Sequence, residues 1–85
     1  MKIKRRDIEF IVSDASEYTS FWSMPNWGWP EYSVIEWGAK KTDTFIDIGA
    51  WIGPMTLFAS KIYDKVYSFE PDPIAFRELE ITGDI

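Results

Sequence analysis

The strongest pattern along this chain is a pair of short apolar runs on either side of a glycine turn and an amphipathic segment. Thr44–Ile48 and Lys65–Phe69 have the length and composition of strands in a parallel sheet. Pro54 follows the turn and suits the first position of a helix, where its fixed φ and missing N–H are tolerated. One apolar face then recurs at helical spacing, through Met55, Phe58 and Ile62. These positions predict a βαβ unit with parallel strands, and so an α/β fold.

The N-terminal part shows a shorter alternation of apolar and polar positions. Residues 7–13 place Ile8, Phe10 and Val12 on one face, which predicts a half-buried strand at a sheet edge. Before it stands a cluster of basic residues that we expect to be a solvated start of the chain, made of Lys2, Lys4, Arg5 and Arg6.

Caps and spacing predict three further helices. A capping-box spacing at residues 14–17 begins a short helix that ends near residues 23–25. Pro30 opens a second helix, for which Gly38 is the C′ residue. The third covers residues 73–81, and we expect three of its side chains to face inward, namely Ala75, Phe76 and Leu79.

Special residues gather at the carboxyl ends of the two predicted parallel strands, where ligands of open parallel sheets bind. Asp47 and Glu70 lie at the strand tips. Gly49 and Gly53 let the turn bend and let its N–H groups approach a ligand. An acid about twenty residues after the turn is placed to accept hydrogen bonds from two ribose hydroxyls. The pattern therefore predicts a nucleoside-containing ligand.

The turn departs from the known phosphate-binding patterns. Counted from Gly49, the second and third glycines of G-x-G-x-x-G are replaced by Trp51 and Pro54. The turn also contains no Lys or Arg, so it does not match a Walker-type phosphate loop. Two carboxylates without a basic partner favour a sulfonium or an amine over a pyrophosphate.

Residues 47–53, with the sequence DIGAWIG, resemble the first motif of class I S-adenosylmethionine-dependent methyltransferases. More narrowly, this motif, the following Thr56-Leu57 pair and the FEPDP of residues 69–73 resemble the FkbM family. The family pattern is D-x-G-A-N-x-G, a Thr or Ser with Leu, then F-E-P-x-P. Trp51 stands where the family commonly has Asn. The resemblance covers about residues 42–80, roughly half of the chain.

The resemblance implies S-adenosylmethionine as cofactor and a partial Rossmann-like methyltransferase fold, with a parallel βαβ core and helices packed on the sheet. By analogy, Gly49 and Gly53 line the methionine end of the cofactor, and Asp47 orients the loop or the cofactor's amine. Glu70 holds the ribose hydroxyls, and Asp72 lies near the adenine. No metal site is implied, and no residue is identified as catalytic. The implied cofactor-binding residues are Asp47, Gly49, Ala50, Trp51, Gly53, Glu70, Pro71 and Asp72.

Packing alone also accounts for parts of this pattern. A Gly-x-x-x-Gly turn between strand and helix often serves packing only, and Asp72 and Pro73 also suit the N-cap and N1 positions of a helix. Trp22, Trp27 and Trp29 could stack on a flat or sugar-like substrate, form a lid over the cofactor, or pack in the core, and core packing is favoured.

Three function classes follow. The favoured one is an S-adenosylmethionine-dependent methyltransferase, present as its cofactor-binding front half, that methylates an oxygen of a small-molecule or sugar-like acceptor. The others are a non-catalytic S-adenosylmethionine or nucleoside binder and an oligomeric interaction module. A sheet of two parallel strands and one edge strand is open, so we expect a homo-oligomer or another chain that completes the sheet.

Length, composition and charge limit the domain organisation and the classes of partner and metal site that the chain can have. The 85 residues suit one small domain, with an N-terminal edge strand and aromatic helical region at 1–41 and a cofactor-binding βαβα unit at 42–85. A formal net charge of −5 disfavours a nucleic-acid partner. We expect no membrane span and no signal peptide, because no apolar run is long enough and none follows the basic start. Without Cys or His, disulfides and thiolate or imidazole metal sites are excluded, and a cytoplasmic location is expected.

Overall fold

The computed structural model describes residues 1–12, 16–24 and 30–83, which form a mixed α/β structure with one antiparallel and one parallel sheet. No helix in these ranges is long and apolar enough to cross a membrane. In chain order the elements are β1 (Lys2–Arg5), β2 (Ile8–Ile11), α1 (Ser16–Trp22), α2 (Pro30–Gly38), β3 (Thr44–Ile48), α3 (Pro54–Ser60), β4 (Lys65–Phe69) and α4 (Pro73–Gly83).

The predicted βαβ unit is confirmed. Strands β3 and β4 pair in parallel, with Thr44 opposite Lys65 and Ile48 opposite Phe69. Helix α3 connects them and begins at Pro54, as the proline predicts. Both strand bounds agree with the apolar runs, because a short run flanked by turn residues leaves the chain little choice of register.

The N-terminal strand is confirmed, but its partner and the exposure of Arg5 were predicted wrongly, whereas Lys2, Lys4 and Arg6 are exposed as predicted. Strand β2 pairs with β1 in a separate antiparallel sheet, with Ile3 opposite Phe10, and so is not an edge of the parallel sheet. Alternation along β1 puts Ile3 and Arg5 on the buried face. The Arg5 side chain is buried and its Nη2 donates a hydrogen bond to the carbonyl oxygen of Trp22 at 2.8 Å. Arg5 therefore belongs to the core rather than to a solvated start.

Helices α1, α2 and α4 lie where the sequence predicts, with two differences, and the predicted capping box at residues 14–17 lies partly outside the described residues. Gly38 is the last residue of α2, and its φ is not positive, unlike the φ of Gly49 and of Gly53. A Cβ at Gly38 would collide with the Tyr63 hydroxyl. That hydroxyl donates to the carbonyl oxygen of Ile35 at 2.8 Å, so Gly38 permits a close approach rather than a left-handed cap. On α4, Phe76 is exposed, and Glu78 is buried beside Ala75 and Leu79. The reason is helical spacing, since positions 75, 78 and 79 share one face and position 76 does not.

The core lies between the hairpin, α1, α2 and α3, and it is built largely from aromatic rings. Tyr32 of α2 packs on Phe58 of α3 with ring centroids 4.3 Å apart, and both side chains are fully buried. Burial raises the pKa of the Tyr32 hydroxyl well above its ordinary value, an effect that the nearby Arg5 guanidinium partly offsets. Burial likewise lowers the pKa of Arg5, and Tyr32 opposes that shift. Trp22 is buried here too, in agreement with core packing.

The two faces of the β3–β4 sheet have opposite surroundings. The covered face, turned toward α3 and the core, carries Phe45, Asp47, Val66 and Ser68. The bare face, on the opposite side, carries Ile46, Ile48, Tyr67 and Phe69, which are 60%, 82%, 53% and 56% exposed. A parallel sheet is normally covered on both faces. Here four large apolar side chains, two from each strand, point to water.

Candidate functional site

The turn between β3 and α3 bends through left-handed backbone conformations at three positions. Gly49 has φ +78°, Trp51 +54° and Gly53 +107°. Glycine adopts such angles without steric cost, whereas a tryptophan does so only with strain. Two of the three positions thus require glycine, as the sequence predicts, and Trp51 needs a separate explanation.

Three N–H groups of the turn donate hydrogen bonds to backbone carbonyl oxygens. The carbonyl oxygen of Phe69, the last residue of β4, accepts hydrogen bonds from the N–H of Gly49 at 2.8 Å and of Ala50 at 3.0 Å. The N–H of Gly53 donates to the carbonyl oxygen of Ala50 at 3.0 Å. Because these donors point at the chain itself, they do not form the cradle that a bound phosphate group requires.

Glu70 binds the turn through its carboxylate. Oε1 accepts a hydrogen bond from the N–H of Trp51 at 2.6 Å, and Oε2 accepts one from the N–H of Asp72 at 2.9 Å. Hydrogen bonds to a charged acceptor are short and stronger than neutral ones. A carboxylate has about four acceptor positions, so each oxygen keeps one for a further donor. The structure therefore brings together the acid at the end of β4 and the turn after β3, as the sequence predicts.

Asp72 is the N-cap of α4. Its Oδ1 accepts a hydrogen bond from the N–H of Ile74 at 3.1 Å, and Pro73 occupies the first helical position. Pro71 is exposed between Glu70 and Asp72. The packing interpretation of FEPDP thus holds for Asp72, whose side chain already serves the helix.

Asp47 lies on the covered face and not with Glu70. Its Oδ2 accepts a hydrogen bond from the Thr56 hydroxyl of α3 at 2.6 Å, and the same hydroxyl lies 2.7 Å from the Ser68 hydroxyl of β4. Since Thr56 gives its proton to Asp47, Ser68 is the donor of the second bond. These three residues tie both strands to α3. Asp47 also borders an apolar pocket of about 320 Å³, lined in addition by Pro30, Glu31, Val34, Ile35, Phe45 and Met55.

The two turn glycines have different neighbours. A Cβ at Gly53 would lie 2.7 Å from Cδ1 of Leu79, so this glycine packs against α4. In the described part of the chain, no atom lies within 4 Å of a Cβ built at Gly49. The space beside Gly49 is open, and of the two glycines it is the one that a ligand can approach.

Trp51 packs on α1, a contact that sequence reasoning missed. Its ring meets Phe21 edge to face, with centroids 4.6 Å apart and an 83° angle, and Tyr18 at 6.2 Å and 84°. Edge-to-face aromatic pairs contribute about 0.5–1.5 kcal/mol beyond burial, which offsets part of the strain of the left-handed backbone. The sequence signal for this contact is Trp51 itself: the motif that residues 47–53 resemble commonly has Asn at this position, and Asn tolerates a left-handed conformation whereas Trp does not.

The remaining sequence predictions concern the tryptophans and metal binding. Trp27 and Trp29 lie outside the described residues. Among the described residues, no group of three or more potential ligand side chains could hold a metal ion. The candidate site is therefore the edge formed by Gly49, Trp51, Glu70 and the backbone of Asp72.

Comparison with protein-family models, curated proteins and solved structures finds no match for this chain. Function has to be inferred from the chemistry of the turn and Glu70 and from the motifs around them.

Proposed function

We propose that this chain is the cofactor-binding front half of an S-adenosylmethionine-dependent methyltransferase with a Rossmann-like fold. The expected reaction is methylation of an oxygen on a small-molecule or sugar-like acceptor. One observation carries the proposal: the Glu70 carboxylate lies 2.6 Å from the Trp51 N–H, so the acid and the glycine turn share one edge of a parallel sheet. This is the edge at which open parallel sheets bind ligands.

The chemistry of the edge fits this cofactor better than a dinucleotide. Glu70 keeps acceptor capacity for two hydroxyl groups, which a ribose supplies. The N–H groups of Gly49, Ala50 and Gly53 are internally bonded, which disfavours a pyrophosphate. When bound, the cofactor supplies a methyl group on a positively charged sulfur, and an acidic edge without a basic partner suits that charge.

The residues of the resemblance take different parts in this proposal. Glu70 would contact the ribose, and Gly49 would leave room for the cofactor beside it. Asp47 would act as a positioning residue, since its carboxylate holds Thr56 of α3 rather than facing the turn. Gly53 would set the packing of the turn against Leu79. Alignment of donor and acceptor can supply much of the rate of such a transfer, so no general base is assigned.

A second candidate function is an interaction module. The bare face of the β3–β4 sheet favours it, because exposed apolar patches of this kind mark binding surfaces for other chains. The bare face borders the turn, because Ile48 directly precedes Gly49 and Phe69 directly precedes Glu70, so each function needs its own test.

Calorimetric titration with S-adenosylmethionine tests the proposal. Wild type should bind, and Glu70→Ala should weaken binding roughly ten- to a hundredfold through loss of charge-assisted hydrogen bonds. Glu80→Ala, which removes an exposed acid from α4, is the matched control and should bind like wild type. Because Glu70 also holds the turn, thermal melts without cofactor must accompany the titrations.

Two results would count against the proposal: no binding by wild type at millimolar cofactor, or equal binding by Glu70→Ala in a folded variant. Gly49→Val gives a second check, since it places a branched side chain in the open space of the turn and should weaken binding as well. Transfer of labelled methyl groups to an acceptor then separates an enzyme from a non-catalytic binder.

A further inference from the structure

On the β3–β4 sheet, the face with more apolar side chains is exposed, and the face with fewer apolar side chains is covered. The covered face includes Asp47 and Ser68 among its four side chains, whereas the bare face carries four large apolar side chains, with Thr44 and Lys65 at its amino end. Burial of apolar surface is the main driving force of folding and association, so the more apolar face gains more from being covered. Within one copy the four apolar side chains of the bare face remain 53–82% exposed, so the free energy of burying them is not realised.

We propose that the bare face, made of Ile46, Ile48, Tyr67 and Phe69, is a homodimer interface in which two copies stack their parallel sheets face to face. This inference does not rest on the proposed cofactor. It names the face of the sheet as the contact, in place of the sheet edge that the sequence pointed to. Two sheets packed in this way lie about 10 Å apart, with the side chains of their inner faces interdigitated.

The area suits a second copy. The four side chains expose roughly 500 Å² of apolar surface, at the upper end of what a single patch on a monomer shows. Two such patches in contact bury about 1,000 Å² in total, which reaches the lower limit of specific interfaces. A two-fold axis needs only one patch that complements itself, and a flat apolar sheet face does so.

Charge sets the relative direction of the two copies. At the amino ends of the strands, three lysines (Lys40, Lys41 and Lys65) outnumber Asp43 and Asp64. Glu70 and Asp72 make the carboxyl ends acidic. A two-fold axis that runs across the strands makes the two sheets antiparallel and puts each basic end over the partner's acidic end. The same axis places β3 on β3 and β4 on β4, so the Tyr67 and Phe69 rings of the two copies meet.

Sedimentation equilibrium of the full 85-residue chain from about 1 μM to 0.5 mM tests the proposal. Wild type should fit a closed monomer–dimer equilibrium. Ile48→Lys should weaken the dimer at least tenfold, because it places a charge within the apolar contact. Ile48 is 82% exposed in one copy, so this change leaves the monomer folded. Val34→Lys is the matched control: it changes a 65% exposed side chain on α2 by the same charge and should change the dissociation constant less than about twofold.

A second pair tests the direction. Lys65→Glu should weaken the dimer several-fold by facing the partner's acidic end, whereas Lys2→Glu, an equal charge change on the exposed side of β1, should not. A wild-type chain that stays monomeric to 0.5 mM, or that forms open-ended aggregates, overturns the proposal. So does a folded Ile48→Lys variant that dimerises like wild type, or an equal effect of Val34→Lys.

Discussion

The two faces of the β3–β4 sheet differ in what holds them. The covered face is fixed to α3 by the Asp47, Thr56 and Ser68 hydrogen bonds, and Phe45 packs against Tyr63 with ring centroids 5.2 Å apart. The bare face has larger apolar side chains and no such contacts among the described residues. Within one copy, the contacts that stabilise the sheet are therefore those of the covered face. The bare face contributes its apolar surface only when another surface meets it.

The largest expected effect compares a phenylalanine on each side. Phe58→Ala removes a fully buried ring that packs on Tyr32, and should lower the free energy of unfolding by about 3–5 kcal/mol. Phe69→Ala on the bare face should cost less than about 1 kcal/mol. Urea denaturation followed by circular dichroism at low micromolar concentration measures both. Equal losses would show that the bare face is already buried in the monomer.

The two glycines of the turn show the same contrast, because Gly53 packs against Leu79 and the space beside Gly49 is open. Gly53→Ala forces φ +107° on a residue with a Cβ and pushes on Leu79, so we expect a loss of about 2–3 kcal/mol. Gly49→Ala meets only the strain of φ +78° and should cost about 1–2 kcal/mol. Denaturant midpoints rank the two variants. The reverse order would mean that Leu79 gives way and that another element constrains Gly49.

Hydrogen bonds of the covered face give a smaller effect. Thr56→Val removes the hydroxyl between Asp47 and Ser68, leaves a half-buried carboxylate with one donor fewer, and should cost about 1–2 kcal/mol. Thr44→Val is the matched change on the open side of β3, where the hydroxyl donates to the exposed Asp43 at 2.9 Å. It should stay within about 0.5 kcal/mol of wild type. If Thr44→Val costs as much as Thr56→Val, the network does not hold α3.

The smallest effect concerns pH. Burial raises the pKa of Tyr32 above its ordinary value of 10, so the folded chain keeps the hydroxyl neutral where the unfolded chain ionises it. Stability from this group is complete below pH 10 and is lost as pH rises toward the folded-state pKa, by about 1 kcal/mol between pH 9 and 11. Tyr32→Phe should flatten that part of the stability profile. A Tyr32→Phe variant that keeps the wild-type slope would overturn this prediction.

Local patterns were sufficient for β3, β4 and α3. An apolar run, a glycine turn and a proline act within a few residues, so the sequence predicts these elements and their parallel pairing. Strand β1 was missed because its basic residues suggest solvent, although alternation places Arg5 inward. The burial of Arg5 depends on its bond to the Trp22 carbonyl, seventeen positions away in the chain. No local pattern contains that contact.

The candidate site divides in the same way. The sequence alone determined that a glycine turn and an acid would meet at one sheet edge, because parallel strands bring their carboxyl ends together. Only the tertiary structure decided what each polar group bonds: Glu70 holds the Trp51 N–H, whereas Asp47 holds Thr56. The tertiary structure also decided which face of the sheet the helices cover. Such choices depend on contacts between distant segments, whose free energies are set by packing and hydrogen-bond geometry in three dimensions and not by the order of neighbouring residues.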